Sequence, residues 1–247
     1  MDTKSLVEDK PEKLYIVIPA YNEEKNIVNV VREWHRVVEN IGADSKLIVV
    51  DDGSTDGTYK KLCELKKELM QLKPMTKSNA GHGSTVLYGY HYALDEGADY
   101  IFQTDSDGQT LSSEFWAFWD KRKVNAASIG YRNHREDGFF RIFVTKVLKG
   151  ILYIIFGLNV TDANTPYRLM NSKVLAKYIS VIPKDFFLVN VMLTVLFMYN
   201  NEKVEFIPIT FQARQGGIST INVRRIIKIG IKAVKDFVHI KRKIEIM

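Results

Sequence analysis

Short apolar runs alternate with amphipathic stretches through the first half of the chain. Strands are predicted at residues 14–18, 46–50, 100–104 and 124–129, where apolar runs end at turn-forming residues. Helices are predicted over about 22–40, 58–72 and 83–96, where apolar residues recur at helical spacing. Strands that alternate with helices favour parallel pairing, so this pattern predicts an α/β sandwich with a mostly parallel sheet.

The second half has a less regular pattern. It predicts a basic and aromatic loop at 130–141, a helix to about 157, a loop at 161–169, a helix around 186–199 and a strand at 204–211. The apolar stretches 147–160 and 186–199 fall short of the roughly 18–20 residues that a membrane helix needs, so they are predicted as core. The charged residues 1–13 have no apolar segment of the signal-peptide type.

The charge is unevenly distributed along the 247 residues. Residues 222–247 hold eight Lys and Arg against two acids, which accounts for the whole net charge of +6. Apolar residues at helical spacing lie between these cations, which predicts a basic amphipathic helix. Such a helix can rest on an anionic membrane surface, or pack on the domain with its basic side in water. No aromatic stacking pattern accompanies the cations, so nucleic acid is not expected as a partner.

The strand at 100–104 ends in Asp105, Ser106, Asp107, Gly108 and Gln109. Residues i and i+2 of an extended chain point the same way, so Asp105 and Asp107 can converge on one divalent cation. Mg²⁺ or Mn²⁺ held by one or two carboxylates and by substrate phosphates is a common way to bind a nucleotide diphosphate. Asp, Ser and Gly also form turns, so this motif alone fits either a metal site or a turn.

Two other predicted strands end in polar or turn-forming segments, at 19–23 and 51–57. Ligands of open parallel sheets bind beyond the carboxyl ends of the strands, so the three ends should line one crevice. Residues 81–83, Gly-His-Gly, suggest part of a dinucleotide fingerprint, but a third glycine and a preceding strand are missing. We expect these glycines to allow a close backbone approach at the nucleotide site.

The motifs at 16–24, 49–58 and 105–109 resemble the nucleotide-sugar half of glycosyltransferase family 2, which has the GT-A fold. Arg141 and the segments 162–169 and 214–219 resemble the polyprenyl-phosphate branch, the dolichol-phosphate mannose synthases and their bacterial relatives. The resemblance covers about residues 13–220. It implies an N-terminal extension at 1–12, a GT-A domain at 13–220 with a mostly parallel sheet flanked by helices, and the basic helix at 221–247.

The resemblance also implies an activity. The chain would be a metal-dependent, inverting glycosyltransferase that moves a hexose from a GDP- or UDP-linked sugar to a polyprenyl monophosphate. It would act at the inner face of the cytoplasmic membrane, as a peripheral protein. The single Cys63 excludes an intrachain disulfide and favours a reducing compartment, in agreement with a cytoplasmic location.

The resemblance assigns roles to individual residues. Nucleotide binding is assigned to Pro19, Tyr21, Glu23, Val50, Asp51, Asp52 and Ser106. Mg²⁺ or Mn²⁺ is assigned to Asp105, Asp107 and Gln109, with Asp107 favoured as direct ligand. Phosphate or acceptor contacts are assigned to Arg132, Arg135, Arg141, Arg214 and Ser219, with Arg141 and Arg214 counted as catalytic beside the two aspartates. Structural roles are the alternatives: packing for Tyr21, a solvated loop charge for Arg132 or Arg135, a helix first turn for Glu23, and a helix N-cap for Asp51 or Asp52.

The acceptor is argued from an absence in the sequence. Family members that transfer to a sugar hydroxyl generally carry an acidic base on a helix in the second half, because a neutral hydroxyl must lose a proton. The corresponding stretch 186–192 has Asn190 and no acid, which favours an acceptor that is already an anion. The alternative is a saccharide or polymer hydroxyl with Asp162 or Asp185 as base. More distant alternatives are a nucleotidyltransferase and a non-catalytic nucleotide-sugar binder.

Overall fold

A computed structural model describes residues 12–132, 139–212 and 223–245, with the backbone alone at 139–143, 223–229 and 231. Its strands are β1 (Leu14–Ala20), β2 (Lys46–Asp51), β3 (Leu72–Thr76), β4 (Tyr100–Gln103), β5 (Ala127–Arg132), β6 (Arg168–Asn171) and β7 (Val204–Ile209). They form one sheet in the order β3-β2-β1-β4-β6-β5-β7. Among these strands, β6 runs antiparallel to its neighbours β4 and β5, and the other pairs are parallel.

Helices cover both faces of the sheet. They are α1 (Ile27–Ile41), α2 (Thr58–Leu65), α3 (His82–Asp95), α4 (Phe115–Trp119), α5 (Phe139–Phe156), α6 (Ser172–Ile179), α7 (Val189–Tyr199) and α8 (Val223–Ile244). Alternate residues of β1 enter different cores: Ile16 packs with α1, α2 and α4, while Val17 packs with α3 and the later helices. Burial on both faces explains why these strands are continuous apolar runs, and the predicted α/β sandwich is confirmed.

Three elements differ from the prediction because tertiary pairing decides them. The helix predicted to residue 72 ends at Leu65, and Leu72 pairs with Leu47 as the start of β3. This strand precedes the Gly81–Gly83 segment, so the expectation that no strand stands there is wrong. β6 begins in the segment predicted as a loop, and α6 lies where no helix was predicted. β5 begins at Ala127 rather than at residue 124, because Val124 is exposed in the turn before it. It extends beyond the predicted residue 129 and ends at Arg132.

The described part of α8 packs on the domain. Ala233, Phe237 and Ile240 are buried, and the Phe237 ring lies 6.2 Å from the ring of Phe156. Lys241 Nζ donates a hydrogen bond to the carbonyl of Ile155 at 2.8 Å, which joins the basic end of α8 to α5. These apolar residues of α8 are therefore used inside the fold. Within the described ranges, no helix combines the length and the hydropathy needed to cross a membrane.

Candidate active site

The segments that follow β1 and β2 are joined by hydrogen bonds. The Asn22 amide donates to Ser54 Oγ at 2.9 Å, and the Thr55 amide donates to Asn22 Oδ1 at 2.8 Å. The Glu23 amide donates to Thr58 Oγ1 at 2.9 Å. Asn22 has a φ of 55°, a left-handed conformation that Asn adopts more readily than most residues. The ends of the two strands therefore form a single wall, as the parallel topology requires.

Asp52 connects this wall to the loop before α3. Its buried carboxylate accepts hydrogen bonds from Lys77 Nζ, from the Ala80 amide at 3.0 Å and from the Gly81 amide at 2.8 Å. Burial would raise the pKa of Asp52, but the hydrogen bonds from Lys77 and Ala80 outweigh it, so this pKa lies below its ordinary value. Asp52 is thus an ionised anchor for the Lys77–Gly81 loop.

Asp51 has different partners, and neither aspartate caps a helix. The buried Asp51 carboxylate accepts a hydrogen bond from Thr76 Oγ1 at 2.9 Å, which fixes the end of β3. At the start of α2, the Thr58 amide instead donates to Asp56 Oδ1 at 3.0 Å. The N-cap alternative for Asp51 and Asp52 is therefore wrong.

The loop after β4 meets the loop before α3. His82 Nε2 lies 3.1 Å from Asp105 Oδ1, and both side chains are partly exposed. Since Gly81 also contacts Asp52, a chain of contacts runs from the end of β2 through the start of α3 to the end of β4. The three strand ends singled out in the sequence do line one edge of the sheet.

Asp107 and Gln109 connect the same loop to the residues after β7. Asp107 Oδ1 accepts a hydrogen bond from the Gln109 amide at 3.1 Å, so the motif does form a turn. Gln109 Nε2 donates to the Gln212 carbonyl, and the Gln212 amide donates back to the Gln109 carbonyl, both at 2.8 Å. The turn leaves Asp105 and Asp107 partly exposed as hard oxygen donors.

These donors fit a divalent cation that is shared with a substrate. In the described part of the chain, no group of three or more His, Cys, Asp or Glu side chains is arranged to hold a metal. Two carboxylates from one loop are instead the set typical of Mg²⁺ that takes its remaining ligands from phosphate and water. The turn and the metal site are therefore compatible, although the sequence presented them as alternatives.

A second recess lies beside the end of β5. The Arg132 guanidinium stacks 3.7 Å from the centroid of the Phe211 ring, so it is held in place and is not a freely solvated loop charge. Next to it is a cavity of about 260 Å³, lined by Tyr131, Arg132, Thr145, Lys146, Lys149, Thr161 and Asp162. Three cations, three hydroxyls and one carboxylate suit a small anionic group.

The other predicted nucleotide residues occupy different parts of the wall. Pro19 lies inside β1 opposite Val50, and the Val50 side chain is buried beneath α3. Tyr21 is 48% exposed, which leaves its ring open to a planar ligand. Glu23 is buried and accepts a hydrogen bond from Asn26 Nδ2 at 2.9 Å, and it precedes α1 rather than occupying its first turn. Ser106 is buried in the loop after β4.

Four predicted phosphate residues cannot be placed. Arg135, Arg214 and Ser219 lie outside the described residues. Arg141 lies on α5, in the part where only the backbone is described. The roles assigned to all four remain predictions.

The two candidate bases lie in different environments. Asp185 is on the surface, with a side chain 80% exposed and 3.2 Å from Lys232 Nζ. Asp162 is buried and lines the cavity beside Arg132. Asn190 is buried in α7, and its carbonyl accepts a hydrogen bond from Arg168 at 2.9 Å. Asp162 is therefore the acid that remains a candidate near the site.

Sequence reasoning missed several residues of these two recesses. It assigned no role to Lys77, His82, Lys146 or Lys149, although the Gly-x-Gly pattern around His82 pointed to a close approach. That approach is made by Gly83, where a Cβ would lie only 2.1 Å from the carbonyl oxygen of Phe186. The glycine thus allows α3 to pack against the segment before α7, which differs from the approach at the nucleotide site that was expected. The Gly81 amide instead reaches the Asp52 carboxylate.

Comparison with known proteins gives a consistent picture of ancestry. The family model described as "Glycosyl transferase family 2" matches residues 15–179. The chain is 27% identical over 224 residues to the polyprenol monophosphomannose synthase of Mycolicibacterium smegmatis, covering 85% of this chain and 82% of that protein. It is 31% identical over 185 residues to the UDP-N-acetylglucosamine–dolichyl-phosphate N-acetylglucosaminyltransferase of Methanococcus voltae, covering 66% and 70% respectively.

Solved structures agree at the level of the fold. Glucosyl-3-phosphoglycerate synthase from Mycobacterium tuberculosis, in complex with Mn²⁺, UDP-glucose and phosphoglyceric acid, superposes with a TM-score of 0.66 at 15% identity, covering 93% of this chain and 79% of that chain. The predicted GT-A-type fold is confirmed by this likeness. The family model spans well over half of the chain and the relative from M. voltae is more than 30% identical, so the protein belongs to glycosyltransferase family 2.

Proposed function

We propose that this glycosyltransferase transfers a hexose from a nucleotide-diphosphate sugar to a polyprenyl monophosphate, at the inner face of the cytoplasmic membrane. The observation that carries the proposal is the cavity beside the end of β5, where Arg132, Lys146 and Lys149 surround a space of about 260 Å³. Cations at that position suit an anionic acceptor better than a neutral sugar. Two relatives are named for polyprenol and dolichyl-phosphate substrates, which supports the same class of acceptor.

The donor would bind in the wall formed by β1, β2 and β4. Tyr21 would stack on the base, while the residues around Glu23, Asp51 and Asp52 would hold the nucleoside. Both UDP and GDP fit this description, although the name of the relative from M. voltae and the M. tuberculosis complexes favour UDP. Asp105, Asp107 and Gln109 would hold Mg²⁺ or Mn²⁺. The ion would supply positive charge to the departing diphosphate.

The proposed reaction is a single in-line displacement with inversion. An acceptor phosphate oxygen attacks the anomeric carbon from the side opposite the nucleotide. As the new carbon–oxygen bond forms, the bond to the diphosphate breaks and its electron pair leaves with the diphosphate. The acceptor phosphate is already ionised at neutral pH, so no base has to remove a proton. The role of Arg132 and the two lysines is to position that phosphate electrostatically.

An acceptor and donor matrix tests this proposal. UDP-glucose, UDP-N-acetylglucosamine and GDP-mannose are each incubated with a short-chain polyprenyl phosphate, with and without Mn²⁺, and lipid-linked sugar is measured. We expect Mn²⁺-dependent transfer from one donor class.

The variant K146Q/K149Q should raise KM for the lipid phosphate and leave KM for the donor nearly unchanged, while K235Q on the exposed side of α8 serves as the control. Transfer to saccharides with none to the lipid phosphate would reject the proposal.

A second candidate function rests on the position of Asp162. Because this carboxylate lines the cavity, it is placed to act as base toward a saccharide hydroxyl. In that case D162N should lower kcat by about 10²–10⁴-fold, the usual contribution of a general base. With a phosphate acceptor, by contrast, D162N should have a kcat close to that of wild type. The two functions are thus separated by one variant assayed on both acceptors.

A further inference from the structure

α5 exposes large apolar side chains on one side. Val147, Tyr153 and Ile154 are 45%, 64% and 82% exposed, whereas Leu152 and Phe156 of the same helix are buried in the core. Val147 and Ile154 are seven residues apart, two helical turns, so they lie on the same side. We refer to Val147, Tyr153 and Ile154, with Lys146 and Lys149, as the outer side of α5. Three large exposed apolar residues on one helix form a patch of the type that marks an interaction surface.

The charges on α5 itself have one sign. Lys146 and Lys149 are exposed on the outer side, and no Asp or Glu occurs anywhere between residues 139 and 161. At the other end of the helix, Lys241 of α8 binds the Ile155 carbonyl, and the exposed Arg242 and Lys243 follow it. One exposed acid, Glu245, pairs with Lys241 at 3.6 Å. On α5 itself, apolar residues beside cations with no acid match the composition of helices that lie in an anionic membrane interface.

The alternative membrane helix is α8, and its geometry argues against that role. Phe237 and Ile240, which would have to enter the lipid, are buried in the core of the domain. In the part of α8 whose side chains are described, the exposed residues are mainly cations, with Val238 as the one exposed aliphatic residue, so this part can attract an anionic surface but offers little to insert. The apolar contribution must then come from another element, and the outer side of α5 supplies it.

We propose that the outer side of α5 lies on an anionic membrane surface, with Val147, Tyr153 and Ile154 at the level of the lipid headgroups. The benefit of this contact rests on the proposed function, because Lys146 and Lys149 also line the cavity assigned to the acceptor phosphate. Lys146 and Lys149 would then lie between the membrane and the cavity. A polyprenyl phosphate could present its headgroup to the cavity while its chain stays in the bilayer.

Vesicle flotation tests the proposal without any substrate. The full chain is mixed with vesicles of phosphatidylcholine alone, or of phosphatidylcholine with phosphatidylglycerol, and the floated fraction is measured. We expect binding to the anionic vesicles, weakened by at least about tenfold in I154E because a fully exposed aliphatic group is lost from the interface. M70E is the matched control, since Met70 is 81% exposed and lies in the turn before β3. It should bind as the wild type does.

The outcomes separate this inference from the proposed function. Y153S should weaken vesicle binding in the same direction, so the test does not depend on a single variant. Both variants should keep wild-type transfer to a water-soluble short-chain acceptor, since neither residue lines the cavity or the donor wall. Equal vesicle binding by I154E and wild type would overturn the inference, and so would a concentration-dependent dimer that I154E abolishes. If the wild type binds vesicles but transfers no sugar to the lipid phosphate, that result would instead count against the proposed function.

Discussion

Asp51 and Asp52 are adjacent in sequence but hold different parts of the fold. Asp51 fixes Thr76 at the end of β3, and Asp52 fixes the loop from Lys77 to Gly81. Neighbouring residues of an extended strand point in opposite directions, which is why their partners differ. Since His82 follows that loop and contacts Asp105, the Asp52 carboxylate also influences the position of the loop after β4, to which the metal is assigned in the proposed function.

We predict that D52N lowers the stability of the fold and alters its dependence on pH. The folded pKa of Asp52 lies below its ordinary value, so the ionised carboxylate stabilises the native state above the unfolded pKa of about 3.9. That contribution is lost as the pH falls below about 4 through the folded pKa. In D52N the free energy of unfolding at pH 7 should fall by about 1.5–3 kcal/mol, the range for hydrogen bonds to a charged group.

Urea unfolding at pH 7 and at several values below pH 4 measures this effect. The difference between D52N and wild type should shrink as the pH falls. D44N, at an exposed aspartate before β2, is the control and should unfold as the wild type does at every pH. A constant difference between D52N and wild type across the acid range would contradict the assigned ionisation.

At the same scale, D107A tests the metal assignment. Its transfer activity should fall below detection while the melting temperature stays near that of wild type, because Asp107 is partly exposed in a turn. When Mn²⁺ is titrated calorimetrically in the presence of nucleoside diphosphate, D107A should bind the ion much more weakly than wild type does. D120A, at an exposed position after α4, is the matched control. Full activity in D107A would refute the assignment.

At the scale of elements, the hydrophobic pattern predicts the strands whose two faces are buried. β1, β2 and β4 lie within two residues of their predicted bounds, since burial on both faces leaves a continuous apolar run. β3 was missed because it contains Pro74 and lies at the edge of the sheet, where a missing amide is tolerated. β6 was missed because it has four residues and begins at Arg168, a charge that a strand pattern does not place in a core.

The same distinction applies to the candidate site. The convergence of the segments after β1, β2 and β4 was predictable because they directly follow strands, and parallel strands bring their carboxyl ends to one edge. Lys146 and Lys149 were not predictable, since their approach to Arg132 depends on how α5 packs against the sheet. No local pattern in the sequence records that packing.

Arg168 allows a prediction about how the cavity wall is held. Its buried guanidinium donates to the carbonyls of Ala163, Thr165 and Asn190, which ties the loop before β6 to α7. Burial lowers the pKa of Arg168 to about 10, so it remains protonated at neutral pH. R168Q should lower the free energy of unfolding by about 3 kcal/mol, because buried carbonyls lose charged donors.

Chemical denaturation of R168Q at pH 7 measures that loss. R32Q is the control, because the pair of Arg32 and Glu68 is exposed and should contribute at most about 1 kcal/mol. Since residues of the same loop, Thr161 and Asp162, line the cavity assigned to the acceptor, R168Q should also weaken acceptor binding more than donor binding. A stability equal to wild type would show that the guanidinium is not needed to hold the loop.

At the scale of the whole molecule, the chain combines a neutral body with a basic C-terminal segment. The 27 cations and 27 acids of residues 1–221 cancel, so the net charge of +6 belongs to residues 222–247. In the fold this segment joins the body through Phe237, Ile240 and the hydrogen bond of Lys241, and its other described cations are exposed. The hydrogen bond from Lys241 to the Ile155 carbonyl places the C-terminal end of this segment beside the C-terminal end of α5. In the membrane contact proposed above, both would face the anionic surface.

The role of α8 as part of the fold leads to a prediction about cooperativity. Phe237 is fully buried against Phe156 and Phe186, so F237A should lower the free energy of unfolding of the whole domain by about 3–5 kcal/mol. Unfolding should remain one transition by tryptophan fluorescence, which reports on the body, and by far-UV circular dichroism. V238A, at the more exposed neighbouring position, is the control and should lower the free energy of unfolding far less.

If α8 were an independent appendage, F237A would leave the fluorescence transition at the wild-type midpoint, since Trp34, Trp116 and Trp119 all lie on the opposite side of the sheet. A shift in that transition would instead show that the basic helix and the catalytic body fold as one unit.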